Sequence, residues 1–199
     1  DELKLEDLAK LHGSILQPPP KRSSDDLIML EVACALAESA NDGGLEAWRA
    51  WCADTLRAMV HDGRNWRKKS ELVASHLTLP ADSVLENAIT LLKRLLGIAP
   101  ESFDLPLDVT QLPCWPFDKK DPVKLCKWLD GDWLEHYVLS KILSIQKTAQ
   151  LNDWGMNLQT DKKRSDFVFE FDVAALHGYQ LFGISCTTSA DKHLTKSKM

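Results

Sequence analysis

One stretch near the end of the chain, residues 166–188, constrains the fold more than any other. Phenylalanine or valine stands at every second position of residues 167–173, which is the period of a β-strand with one buried face. Glu170 and Asp172 alternate with them and therefore project from one face of that strand. A His-Gly turn follows, and the aromatic and β-branched residues of 179–186 predict an antiparallel return strand. The sequence thus predicts a β-hairpin that carries an acidic pair.

Two helices and a first strand are predicted to precede this hairpin. Helix patterns run over residues 123–129 and 133–146, with a pause at 130–132 where aspartate and glycine interrupt the apolar spacing. Glu135 lies beside the apolar stripe of the second helix, close enough to the buried side to face a cleft. Residues 152–160 predict a strand. The predicted order is helix, strand, strand, strand.

The first residues predict a connector. Leucines at helical spacing over residues 3–11 predict a short amphipathic helix that ends at Gly13. Three consecutive prolines within residues 17–24 favour a stiff, extended link. We therefore assign residues 1–23 to a connector and Pro-rich linker.

Residues 24–120 predict a helical domain. The patterns at 27–39 and from 45 to about 61 predict a helical hairpin, broken by consecutive glycines. Two further helices, at 70–77 and 81–96, follow the order of a helix-turn-helix or winged-helix unit. The basic residues precede the second of these helices instead of lining it, so a packing or dimerisation module competes with a DNA-binding one.

Charge and cysteine content narrow the class of protein. A net charge of −5 over 199 residues argues against a generally basic nucleic-acid coat. The five cysteines are scattered without a C-x-x-C pair, which predicts reduced, mostly buried thiols in a cytoplasmic protein. No stretch is apolar and long enough to predict a membrane span. Asp1 is not a methionine, so we expect a piece of a longer protein.

Residues 131–138, 169–173 and 180–187 together resemble the restriction-endonuclease-like PD-(D/E)xK domain. More narrowly, they resemble the CRISPR-associated nucleases in which that domain follows a CARF sensor for cyclic oligoadenylates. The resemblance covers about residues 123–198 and extends loosely over the rest. It implies an α/β (α+β) fold in which a helical, winged-helix-like N-terminal region precedes an αβββ nuclease core. We assign that core to residues 121–199 and expect it to be truncated.

The resemblance also implies a metal site. In the family, a helix glutamate, an aspartate of the second strand and an acid of the third strand bind one or two divalent ions. Glu135 matches the helix acid and Asp172 the strand aspartate, with Glu170 as an accessory ligand. The implied cofactor is Mg²⁺ or Mn²⁺, because oxygen ligands select these ions over zinc. Such an ion neutralises the charge that develops in phosphodiester cleavage and activates the attacking water.

The third strand departs from the family pattern. The motif requires Glu-x-Lys where this chain has Ser185-Cys186-Thr187. In one explanation the site is degenerate and binds nucleic acid without cutting it; in a second, Ser185 and Thr187 are neutral ligands. In a third, the cation comes from a later lysine, namely Lys192, Lys196 or Lys198. We name Ser185, Thr187 and Lys198 as candidate catalytic residues beside Glu135 and Asp172.

Two functions of different class follow. The first is a metal-dependent nuclease effector domain of a prokaryotic antiviral CRISPR-type system, which cleaves DNA or RNA. The second is a catalytically degenerate nuclease fold that serves as a nucleic-acid-binding, regulatory or dimerisation module. The expected partners are nucleic acid and a second copy of the chain in a homodimer. Cyclic oligoadenylate is expected to act only through a sensor domain that these residues do not contain.

Overall fold

A computed structural model describes most of the chain, and its elements form two compact units. One, called the sheet unit, comprises Asp1–Asp25 and Leu134–Met199; the other, the helical unit, comprises Asp26–Trp133. Helices and two small antiparallel sheets together confirm the predicted α+β class. Within the described residues, no helix has the length and apolarity needed to cross a bilayer. The described residues are 3–22, 27–60, 72–99, 106–114, 116–117, 121–161 and 169–188.

The helices and strands follow in a mixed order along the chain. The helices are α1 (Leu5–Leu11), α2 (Leu27–Glu38), α3 (Gly44–Trp51), α4 (Glu86–Leu96), α5 (Pro122–Lys127) and α6 (Trp133–Ile145). The strands are β1 (His76–Leu77), β2 (Leu107–Asp108), β3 (Asp153–Gln159), β4 (Glu170–His177) and β5 (Gln180–Ile184).

The helical unit begins with the predicted helical hairpin. Gly43, with φ +84°, ends the helical run that starts with α2, a left-handed conformation that glycine adopts without steric cost. After α3 the chain stays helical through a π-helical turn at Cys52–Leu56 and a 3₁₀ turn at Arg57–Met59. The buried Trp48 donates its indole N–H to the carbonyl of Leu129, 2.9 Å away. Both helices of the predicted hairpin are confirmed.

The helix predicted at residues 70–77 is wrong in its described part. Leu72 forms an isolated bridge with Val60, and β1 pairs antiparallel with β2. Leu77 is fully buried in that arrangement. Pairing and burial thus override a local helical pattern, which is a weak determinant by itself. The helix-turn-helix pair does not form as predicted, and the winged-helix assignment stays a prediction.

The pause predicted at residues 130–132 is also wrong. The chain instead forms a π-helical turn, Trp128–Asp132, between α5 and α6. Asp130 accepts hydrogen bonds from the Nε and Nη2 atoms of Arg57 at 3.0–3.2 Å. A bidentate Arg–carboxylate pair of this kind offsets the poor helix propensity of aspartate and glycine.

The sheet unit contains a three-stranded antiparallel sheet in the order β3-β4-β5. Val173 of the central strand pairs with Met156 on one side and Ile184 on the other. Gly178, with φ +57°, forms the turn between β4 and β5. The predicted hairpin is confirmed, although residues 173–176 are buried at every position instead of alternating. A central strand that is covered on both faces loses the alternation that marks a half-buried one.

The segment predicted as a connector is part of this unit. The chain bends at residues 17–18, and on either side of this bend Leu16 and Lys21 form antiparallel bridges with Thr160 and Met156. Residues 15–21 therefore run along the edge of β3. The apolar face of α1 packs on the sheet in a cluster whose buried members are Leu5, Leu8, Leu158, Ala174 and Leu176.

A buried carboxylate joins these pieces. Asp153, the first residue of β3, is 2% exposed and accepts a hydrogen bond from the backbone N–H of Leu5 at 2.9 Å. Arg22 donates to both of its oxygens at 2.8 Å and also to Glu6 at 2.6 Å. Burial acts to raise the pKa of Asp153, but the hydrogen bonds from Arg22 and Leu5 outweigh it and lower that pKa. The pKa of Arg22 is raised by its bonds to Asp153 and Glu6.

We predict that Asp153→Asn destabilises the sheet unit by about 2 kcal/mol, because it removes the charge from hydrogen bonds made to a buried carboxylate. Hydrogen exchange of the β3 amides, followed in denaturant, measures this change. Lys10→Gln is the control, since the Lys10–Asp7 pair is exposed and 4.0 Å long, and we expect a change below about 0.5 kcal/mol.

The effect of Asp153→Asn depends on pH. Because folding lowers the pKa of Asp153, its contribution is complete above the unfolded pKa of about 4 and is lost as pH falls through the folded pKa. The difference between wild type and variant should therefore shrink below about pH 4. A difference that is constant from pH 7 to pH 3 would contradict the role of the charge.

The cysteines provide a second prediction. Burial raises the pKa of Cys126 to about 12, and burial followed by the charge of Asp130 raises the pKa of Cys52. Cys114 is exposed. Since the thiolate is the reactive form, a thiol reagent at pH 8 should modify Cys126 at least on the order of 100-fold more slowly than Cys114. Mass spectrometry of the labelled protein checks this, and Cys114→Ser should remove the fast site alone.

Candidate functional site

The hairpin of β4 and β5 places Asp172 next to Ser185. Asp172 is half-buried in β4, and Ser185 directly follows Ile184, the last residue of β5. The Ser185 hydroxyl donates to Asp172 Oδ2 at 3.0 Å, and the backbone N–H of Cys186 donates to the same oxygen at 2.6 Å. Hydrogen bonds to an ionised carboxylate are shorter and stronger than neutral ones. The two donors therefore hold this carboxylate against the end of β5.

On its other side, Asp172 faces a distorted part of β3. Met156 pairs with Val173 and Leu158 pairs with Phe171, so Asn157 lies beside Asp172 in this ladder. Asn157 is exposed and has φ +57°, in the left-handed region. Asparagine is one of the few non-glycine residues that adopt this region at modest cost, and such conformations cluster at functional sites.

The other candidate acids lie on separate elements or surfaces. Glu170 is exposed at the first position of β4, and Glu135 is half-buried in the first turn of α6. Throughout the part of the chain that the structure describes, no three side chains of His, Cys, Asp or Glu form a group that could hold a metal ion. Glu135, Glu170 and Asp172 therefore do not converge into one cluster of three carboxylates.

The remaining candidates follow β5. Thr187 is exposed and belongs to the irregular segment after that strand. Lys192, Lys196 and Lys198 lie outside the described residues. The structure thus brings together Asp172 and Ser185 of the predicted set. It adds the backbone N–H of Cys186, which sequence reasoning could not find because a main-chain donor has no side-chain signature.

The oxygen atoms at Asp172 are of the type that binds a hard cation, but few of them lie together. Both the carboxylate and the adjacent Ser185 hydroxyl offer oxygen, which favours Mg²⁺ or Mn²⁺ over zinc. Magnesium is commonly held by one or two carboxylates together with water and substrate phosphates. In donor type, the Asp172 carboxylate and the Ser185 hydroxyl therefore fit a divalent cation.

Part of the chain matches a known protein family. Residues 123–198 match the family model described as the endonuclease domain of Card1-like proteins. The predicted resemblance to a CRISPR-associated nuclease is confirmed over these residues, which include α6 and the whole β3-β4-β5 sheet. None of the curated proteins matches the chain.

A solved structure supports the fold. The chain is similar to Can2 from Sulfobacillus thermosulfidooxidans, which was solved in complex with cyclic tetra-adenylate, with a TM-score of 0.50 and 18% identity. The match covers 92% of this chain and 41% of Can2, so the chain spans about two fifths of that protein. At this identity the likeness is evidence for the fold alone.

The left-handed residue beside Asp172 provides a third prediction. Asn157→Gly should leave stability within about 0.5 kcal/mol of wild type, because glycine adopts φ +57° without steric cost. Asn157→Val should destabilise the sheet unit by about 1–2 kcal/mol, since a β-branched residue is strained there. Denaturant unfolding of both variants measures this, and equal losses in the two would contradict a backbone cause.

Proposed function

We propose that this chain is part of a metal-dependent nuclease effector of a prokaryotic CRISPR-type defence system. The observation that carries the proposal is the match of residues 123–198 to the Card1-like endonuclease domain. Asp172 lies within that segment, on the central strand of the sheet. A half-buried carboxylate in this position can bind a divalent cation that also contacts the phosphodiester of a substrate.

Each residue of the site has a proposed role. Asp172 binds the cation, and its carboxylate is oriented by Ser185 and Cys186. The resemblance assigns Glu135 and Glu170 to the same ion, although in the described residues they do not join Asp172 in one cluster. When bound, Mg²⁺ or Mn²⁺ supplies Lewis-acid stabilisation of the phosphate and an activated water. Thr187 carries no charge where the family has lysine, so we expect slower turnover than a full Glu-x-Lys strand would support.

The proposed partners are those that the resemblance to CRISPR-associated nucleases implies. The substrate is a DNA or RNA phosphodiester, and the active protein is a cytoplasmic homodimer. Can2 was solved with cyclic tetra-adenylate, and the chain spans 41% of its length. This supports a cyclic oligoadenylate activator that binds a sensor domain outside the present residues.

A second candidate function is a degenerate nuclease fold that binds nucleic acid or a partner without cutting. Two observations favour it. Ser185-Cys186-Thr187 replaces Glu-x-Lys, and no group of three potential metal ligands occurs within the described parts of the chain. Fewer carboxylates mean weaker metal binding, and the exchange of lysine for Thr187 removes the cation that this position would supply to the phosphate.

Cleavage assays with manganese separate the two functions. We predict that Asp172→Asn lowers Mn²⁺-dependent cleavage of labelled DNA and RNA by at least about 100-fold, because outer-shell partners of metal ligands alone contribute about 10–100-fold. Asp54→Asn is the matched control, since Asp54 is exposed in the helical unit, and it should cleave as wild type does.

Two results would count against a metal-dependent nuclease centred on Asp172. Cleavage that persists unchanged in Asp172→Asn, or in excess chelator, would show that this site does not catalyse it. Absence of cleavage by wild type, together with nucleic-acid binding that Asp172→Asn alters, would favour the degenerate fold.

A further inference from the structure

We propose that Ser185 is a positioning residue that replaces a second strand carboxylate and keeps the Asp172 site ordered without a metal ion. The inference deepens the proposed function, because it rests on a cation that binds at Asp172. It concerns the side chain that departs from the family pattern, and it assigns that side chain a specific task.

The strand pairing explains why position 185 matters. Val173 pairs with Ile184, so the residues that follow on β5 and precede on β4, Ser185 and Asp172, meet at the end of the ladder. Their side chains make the 3.0 Å hydrogen bond described above. A side chain at position 185 therefore lies opposite this carboxylate, and its charge determines whether it attracts or repels Asp172.

A glutamate in this position would place two carboxylates next to each other. Like charges opposite one another on neighbouring strands are destabilising, and two adjacent carboxylates favour a bound cation or a shared proton. Ser185 instead donates a hydrogen to Asp172. The exchange of a carboxylate for a hydroxyl thus removes a repulsion that would otherwise need a bound cation or a shared proton.

The local packing keeps this contact in place. The ring of Phe171 occupies the space that a side chain at Gly183 would fill, so this ring of β4 packs directly on the backbone of β5 near the Asp172–Ser185 contact. Phe169 stacks on Phe171 with ring centroids 5.3 Å apart. The Cys186 N–H donates to the same oxygen as Ser185, so two donors from one segment determine the orientation of the Asp172 carboxylate.

Two consequences distinguish this arrangement from a carboxylate pair. The hairpin end is stable in the metal-free protein, because Asp172 has donors from the segment that follows β5. The metal affinity depends on the Ser185 hydroxyl, because that hydroxyl orients the carboxylate for binding. A residue that served structure alone would produce the first effect without the second.

The test is a set of substitutions at position 185, with Mn²⁺ binding measured by calorimetry and thermal unfolding measured in EDTA and in Mn²⁺. Ser185→Ala should weaken Mn²⁺ binding about tenfold, the effect of one lost hydrogen bond to a charged group. Ser185→Thr, which keeps the hydroxyl, should bind within about twofold of wild type. Ser144→Ala is the matched control, since Ser144 is exposed on α6 and donates to its own helix.

Ser185→Glu tests the electrostatic argument. In EDTA this variant should unfold at a lower temperature than wild type, and Mn²⁺ should raise its unfolding temperature more than it raises that of wild type. Unchanged stability of Ser185→Glu in EDTA would overturn the proposal.

Binding separates failure of the inference from failure of the proposed function. Mn²⁺ binding that is lost in Asp172→Asn but unchanged in Ser185→Ala would overturn the positioning role and leave the metal site standing. Ser185→Thr that binds no better than Ser185→Ala would overturn it too. No binding by wild type would overturn the metal site itself, and the positioning role would fall with it.

Discussion

The sheet unit depends on one buried ion pair. The carboxylate of Asp153 accepts hydrogen bonds from the backbone N–H of Leu5, which is the first amide of α1, and from the Nε and Nη2 atoms of Arg22. The start of α1, the segment around Arg22 and the start of β3 therefore meet at one side chain. A carboxylate that is 2% exposed is costly to bury unless such donors surround it. These donors come from the N-terminal segment. That segment must therefore lie against the start of β3, because Asp153 is the first residue of this strand.

This constraint has a consequence for the hairpin. Residues 15–21 border the outer edge of β3, and β4, which lies between β3 and β5, is buried at every position of residues 173–176. Burial ends at Asp172, the first polar residue in that direction, and the strand remains paired there through Leu158 and Phe171. The candidate site thus lies where a rigid, buried strand meets the polar end of the sheet. A rigid element is what holds a functional carboxylate in a defined position.

Several features could be read from residues alone because they rest on local patterns. The leucine spacing of α1, the glycine break at Gly43 and the His-Gly turn before β5 each express a backbone or amphipathic preference within a few positions. Other features could not be read in this way. Residues 76–77 become a strand because β2, about thirty residues later, offers a partner, and residues 130–132 stay helical because Arg57 binds Asp130. Those partners are absent from any local window.

For the candidate site, the sequence by itself determined which residue types stand at the expected places. Asp172 follows the apolar alternation of its strand, and Ser185 and Thr187 stand where the family has glutamate and lysine. Only the tertiary structure decided that Ser185 and the Cys186 amide bind one oxygen of Asp172, and that Glu135 and Glu170 do not join it in a cluster of three. The physical reason is that hydrogen bonds across a sheet and the approach of separate elements depend on register and packing, which residue order alone does not specify.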